Sequence, residues 1–383
     1  MQHGKDTASG PLRDLRVIEF QGLGPGPMCA TFLGDMGADV IRIDRTANPA
    51  QTDYGALGRN RRSIALNLKH PAGVATALRL VAAADAAIDP FRPGVMERLG
   101  LGPEACLARN PRLVFGRMTG WGQDGPLAQA AGHDINYIAV TGALHAIGER
   151  GRKPVPPLAL VGDYGGGALY LAFGMACALL EAQRTGQGQI VDAAMVDGVA
   201  LLMSAQYGIR DRGGWAGARG ENMLDGGAHF YGCYECADGE WISLGAMEPQ
   251  FYALLREQLG LDDPAFDAQN DPAAWPALTE MIANVVRGRT RAEWCALLEG
   301  TDVCFAPVLT MDEARSYPPN VGRKVFVDVD GERQAAPGPR LSRTPASVRR
   351  GRPRIGVHTD EVLGEFGFTA DEIATLREAG GIG

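Results

Sequence analysis

A chain of 383 residues exceeds the usual single-domain size, which leaves two domains or one large α/β body. Its 45% apolar and 21% charged residues are those of an ordinary globular protein. A net charge of −8 argues against a general affinity for nucleic acid or anionic membrane, but not against a local basic pocket for an anionic ligand.

The polar opening Met1–Gly10 lacks the apolar core of a signal peptide. Leu15–Phe20 reads as a strand, Gly22–Pro27 as a loop, Met28–Met36 as a helix and Asp39–Asp44 as a second strand. This βαβ unit predicts a parallel, Rossmann-like sheet. A helix near Pro71–Ala84, a strand near Ala86–Asp89 and a strand at Leu113–Met118 continue the alternation. Gly165–Arg184 predicts a buried helix, and Gln189–Asp192 a returning strand. Within that helix the apolar run Ala168–Leu180 is too short to span a bilayer and ends at Glu181. The chain is therefore expected to be soluble and cytoplasmic, with no membrane and no nucleic acid among its partners. Gly380–Gly383 is no peroxisomal address.

The character changes after about residue 195. A helix near Val196–Arg210 leads into a glycine-rich passage, then a hairpin from Phe230–Cys236 and Trp241–Ala246. Helices near Pro249–Leu259 and Trp275–Arg287 follow, and Thr290–Glu293 has the form of a capping box. This middle third predicts a smaller α+β domain. Gln334–Pro339 reads as a linker, and 359–383 as two short helices, the second opened by Thr369–Glu372.

The loop Gly22-Leu-Gly-Pro-Gly-Pro27 imitates a dinucleotide fingerprint but spaces its glycines as G-x-G-x-G. Pro25 and Pro27 also remove donors that a pyrophosphate would need, so the turn is read as structural. Seven cysteines are scattered along the chain. Cys233 and Cys236 form one C-x-x-C pair without a second pair or histidines at suitable spacing. No metal site is expected, and the thiols read as reduced and at least half-buried.

Two stretches remain. Gly132-His-Asp-Ile-Asn-Tyr137 sets an imidazole beside a carboxylate, and Leu160-Val-Gly-Asp-Tyr-Gly-Gly-Gly167 sets a carboxylate at a glycine-rich turn. An imidazole and a carboxylate from separate elements can remove and deliver a proton at one carbon. At these residues the chain resembles the α-methylacyl-CoA racemases of the family III CoA transferases. The resemblance extends over Gly22–Pro27, Arg42–Arg45, Arg92–Gly102, Met118–Gln123, Gly188–Asp197, Gly220–Gly227 and Gly245–Tyr252, from about Gly10 to Ser342.

That resemblance implies a large Rossmann-like domain from residues 1–195 and 335–383, a small α+β domain at 225–318, and connecting segments at 196–224 and 319–334. It also implies an interlocked homodimer. The implied reaction is 1,1-proton transfer at C2 of a 2-methylacyl-CoA thioester, through an enolate, without cofactor or metal. His133 and Asp163 would be the acid/base pair, although Asp163 alone could be a helix N-cap. Asp134 would orient or balance the histidine, or be a capping carboxylate. Glu248 would support the histidine from the partner subunit, or simply open the helix at Pro249. For CoA the resemblance points to Arg45, to Leu66, Asn67, Leu68 and Lys69, and to Arg92. Gly132, Ile135, Asn136 and Tyr137 complete the substrate-side motif. Arg59, Arg61 and Arg62 read as solvated or structural.

Two other readings stand beside this one. A CoA transferase of the same family would use the aspartate matching Asp163 as nucleophile. A non-catalytic acyl-CoA binder would need neither the aspartate nor the imidazole.

Overall fold

A computed structural model describes residues 9–45, 55–215 and 217–383. They form two compact bodies. One takes the described residues up to Thr141 together with Leu158–Leu202 and Lys324–Gly383; the other takes Gly142–Pro157 and Met203–Arg323. The segment 142–157, which the sequence assigned to the large domain, thus belongs to the smaller body. Arg219 holds it there, donating to His145 O at 2.6 Å and to Arg152 O.

The first body is built on a six-stranded sheet in the order β3-β2-β1-β4-β5-β6. Its strands are β1 (Arg16–Phe20), β2 (Asp39–Asp44), β3 (Arg61–Ala65), β4 (Ala86–Asp89), β5 (Val114–Thr119) and β6 (Ile190–Ala194). Every pairing is parallel, so both faces must be covered and most of these strands carry near-continuous apolar runs. One face buries Ile18, Ile41, Ile64 and Phe115 under α2 (Pro71–Ala82), α4 (Pro103–Arg109) and the helices Thr359–Glu365 and Ala370–Glu378. The other buries Val17, Val40, Ile88 and Val114 under α1 (Pro25–Asp35) and the helix Tyr170–Thr185. Chain order reverses between β1 and β4, which opens a crevice at the carboxyl ends of those strands.

Three local expectations change, and a fourth is resolved between its alternatives. Helix α1 starts at Pro25 rather than Met28, because proline suits a first helical turn where its missing N–H has no partner to lose. Of the two readings for Arg59, Arg61 and Arg62, solvated or structural, the structural one holds: all three are buried, and the latter two lie in strand β3. Arg61 pairs with Glu19 at 2.5 Å, Arg59 with Asp35 at 2.6 Å and Arg62 with Asp39 at 2.6 Å. The expected helix 196–210 is two helices, Met195–Leu202 and Ser204–Asp211. Finally, the helix expected to be buried is buried on one side only; it begins as a π-helical stretch at Leu160 and runs 26 residues to Thr185, long and apolar enough by those criteria alone to cross a membrane. Leu171, Met175, Ala178 and Leu179 instead pack into the sheet core.

The second body has an antiparallel sheet of β7 (Tyr231–Glu235), β8 (Trp241–Gly245) and β9 (Phe305–Val308). Phe230, Tyr252, Trp275 and Trp294 fill the core between it and the helices Pro249–Leu259, Trp275–Val286 and Arg291–Leu298. Thr290 and Thr369 cap their helices reciprocally with Glu293 and Glu372, as the sequence predicts. All seven cysteines are free, and Cys177, Cys233 and Cys304 are exposed rather than half-buried. Cys233 is exposed and Cys236 buried, because residues three apart on an extended chain face opposite ways.

Candidate active site

Two cavities open at the carboxyl edge of the parallel sheet. The larger, about 590 Å³, is lined by the ends of β1, β2 and β3 and by α3 (Val95–Arg98). Arg45, Leu66, Asn67, Leu68 and Lys69 all reach it, and Arg98 adds a third cation. The smaller, about 300 Å³, is lined by Leu23–Pro25, Pro90–Pro93, Met118–Trp121, Gly132, His133, Tyr137 and Asp163. Phe91 borders both.

Asp163 sits inside the π-helical turn, not at an N-cap position. Such wide turns recur at functional sites because they displace side chains from the regular helical pattern. Its backbone N–H donates to Asp134 Oδ1 at 2.7 Å. Asp134 opens α5 (Asp134–Val140) and is buried, and the partner its carboxylate holds is the Asp163 backbone. Glycine at 162 makes this approach possible: a Cβ there would lie 2.4 Å from Asp134 Oδ1. Gly24, at φ +66°, brings the loop after β1 against the carboxylate, with the site of its missing Cβ 3.1 Å from Asp163 Oδ2. The loop read as structural therefore forms a wall of the cleft. Burial, then the Asp134 charge, push the Asp163 carboxyl up to about 6, while His133 pulls the other way.

His133 precedes α5 in extended conformation, and its backbone N–H donates to Asn136 Oδ1 at 3.1 Å. Tyr137 fixes the turn from beneath. Its hydroxyl donates to Gly132 O, and its ring meets Trp121 edge-on at 4.9 Å. Side chains at Gly120 or Gly132 would collide with that ring, at 2.0 Å and 2.7 Å. Burial first, then the Asp163 charge, raise the Tyr137 hydroxyl above its ordinary range, so it remains a donor.

The expected site residues thus separate into groups. His133, Asp163, Gly132 and Tyr137 share the smaller cleft, and Arg92 joins them there instead of the cations of the larger cavity. Ile135 and Asn136 line neither cavity: Ile135 is exposed and Asn136 caps α5. Glu248 belongs to the second body, at the N-cap of the helix Pro249–Leu259, and its side chain makes no capping bond.

Sequence reasoning missed Phe91, Arg98, Trp121 and the pair beneath them. Asp89 ends β4, accepts from Phe91 N–H at 2.9 Å and stands 3.4 Å from Arg117, which reaches Glu97 of α3 at 2.9 Å. Burial raises Asp89 to about 7. The adjacent positions Asp89 and Arg117 on paired strands could be found only once the register was known. Among the described residues no group of three or more His, Cys, Asp or Glu side chains could hold a metal ion.

Comparison with known proteins follows the same lines. The chain is 47% identical to mouse α-methylacyl-CoA racemase over 370 residues and 45% identical to the human racemase over 369, covering 96% of each chain. A crystal structure of a CAIB/BAIF family protein from Brucella suis superposes with a TM-score of 0.82 at 25% identity, covering 94% of this chain and all of that one. Residues 12–359 match the CoA-transferase family III, and the chain belongs to that family.

Proposed function

We propose that this protein is a racemase that interconverts (R)- and (S)-2-methylacyl-CoA thioesters. The observation that carries the reading is the opening of His133 and Asp163 onto one cleft in a chain nearly half identical to mammalian racemases. A thioester acidifies its α-hydrogen because the charge left by deprotonation moves onto the carbonyl oxygen. One of the two side chains takes the proton and the other returns one to the opposite face, the roles exchanging with the hand of the substrate. No electrons are transferred, so the proposed chemistry calls for no redox cofactor. An aspartate raised to about 6 exists in both protonation states near neutrality, which suits a group that must act as acid and as base.

The larger cavity supplies the remaining requirement. Arg45, Lys69 and Arg98 stand amid Leu66, Leu68 and Phe91, cations set in apolar surface as a nucleotide with phosphates demands. The acyl group would then lie past Phe91 in the smaller cleft, with Arg92 beside the thioester end. The interlocked homodimer expected from the resemblance is part of this proposal. Leu169, Phe173 and Leu180 stand exposed along one helix with Leu201 and Leu202 nearby in sequence on the next, an apolar surface that a monomer would leave wet.

Turnover in deuterium oxide tests the reading. A racemase incorporates deuterium at C2 and erases stereochemistry with no acceptor acid present. His133→Ala and Asp163→Ala should each lower the rate by at least about 100-fold. A strict need for an acceptor carboxylic acid, with Asp163→Ala inactive and His133→Ala competent, would instead identify a transferase with Asp163 as nucleophile.

A further inference from the structure

The residues after the last helix, Gly380–Gly383, fold back across the edge of the first body. Gly383 N–H donates to Ala65 O at 3.0 Å and Asn67 N–H donates to Gly381 O at 2.9 Å. Ile382 thereby bridges antiparallel to Leu66, so edge strand β3 gains a short partner where it runs into the larger cavity. Ile382 is buried in the same core cluster as Leu66. Asn67 fastens the contact from the other side. Its Nδ2 donates to Gly380 O at 3.1 Å, and its Oδ1 accepts from Lys69 N–H at 3.2 Å. Both ends of that amide are committed to backbone. Helix α2 closes in behind, since a Cβ on Gly73 would fall 2.1 Å from Asn67 O and 3.0 Å from Gly381 O.

We infer that Asn67 and Ile382 are positioning residues: the 380–383 segment clasps the loop Leu66–Lys69 in the form that receives the nucleotide end of CoA. The inference rests on the reading of the larger cavity as the nucleotide site. A loop that presents backbone and a lysine to a phosphate-bearing ligand binds more weakly when it must first be ordered. The reacting carbon lies in the other cleft, so loosening the clasp raises KM and spares kcat.

The test compares Asn67→Ala, Ile382→Ala and Arg45→Ala on an acyl-CoA thioester and on the matching acyl-pantetheine thioester, which lacks the nucleotide. The clasp variants should raise KM for the CoA ester about five- to tenfold, through lost side-chain hydrogen bonds in Asn67→Ala and lost packing of the bridge in Ile382→Ala, with kcat within about twofold. KM for the pantetheine ester should not move. Amide exchange at Asn67 should accelerate in Ile382→Ala, and the double variant should fall short of the product of the singles because both act on one contact. If Arg45→Ala raises the CoA-ester KM and the clasp variants do not, the clasp is overturned and the nucleotide site survives. If none of the three moves KM, the nucleotide reading fails and the clasp with it. Equal losses on both esters would make the contact merely structural and overturn the inference.

Discussion

Asp163 and Asp134 are coupled through one backbone hydrogen bond, and that coupling gives the proposed reaction a measurable pH signature. In the direction in which Asp163 takes the proton, it must be ionised, so kcat/KM should fall tenfold per pH unit below about 6. In the opposite direction Asp163 must be protonated, and the rate should fall above that value. The Asp134 charge is one cause of the raised carboxyl, second to burial. Asn at 134 keeps an acceptor for the Asp163 N–H and removes the charge, so Asp134→Asn should move both limbs to lower pH, by about half to one unit. Profiles measured for each enantiomer of substrate would decide; limbs that stay in place would remove the coupling. The sequence carried the pair His133 and Asp163 because family resemblance adds to the residue types themselves. Asp134's actual partner was illegible, since it depends on a π-helical turn and on the missing side chain of Gly162.

Elements β1 and β2 were legible as alternating strand, loop, helix and strand, because their apolar runs are bounded by turn residues. Strand β3 was not. Its opening Arg61 and Arg62 look like a solvated charge run, and their partners come from elsewhere in the fold: Asp39 of β2, Glu361 and Glu365 of the helix Thr359–Glu365 for Arg62, and Glu19 for Arg61. Glu19 lies on β1, two strands away, so no local pattern could pair it with Arg61. The same pairing makes β3 sensitive. Arg61 also donates to Thr31 Oγ1 at 3.2 Å and to Arg59 O at 2.9 Å, tying β1, α1 and β3 at one point. Arg61→Met should cost about 3–5 kcal/mol in denaturant unfolding, because it leaves the Glu19 carboxylate buried without a partner. Adding Glu19→Leu should recover much of that loss. A double variant no more stable than Arg61→Met would show that the hydrogen bonds, not the ion pair, carry the stability.

For the whole molecule, a buried imidazole makes stability depend on acid. His229 is fully buried in the second body, with Nε2 2.7 Å from the Tyr252 hydroxyl, and burial lowers it to about 4. Above about 6.5 both folded and unfolded chains hold a neutral imidazole, and the stability is complete. Between that value and about 4 the unfolded chain binds a proton that the folded chain refuses, which removes about 3 kcal/mol in total. His229→Gln should flatten this part of the unfolding curve measured against pH. The proposed dimer makes a sharper claim, because Glu248 would act on the partner's His133. Each homodimer of His133→Ala or Glu248→Ala would then have two damaged sites. Mixing the two variants and letting subunits exchange would generate heterodimers in which one site combines an intact His133 with an intact Glu248 from opposite chains. Activity should rise with heterodimer content toward half the wild-type rate per dimer. If Glu248 instead serves its own chain, no site in the mixture is whole, and activity stays at the level contributed by Glu248→Ala alone.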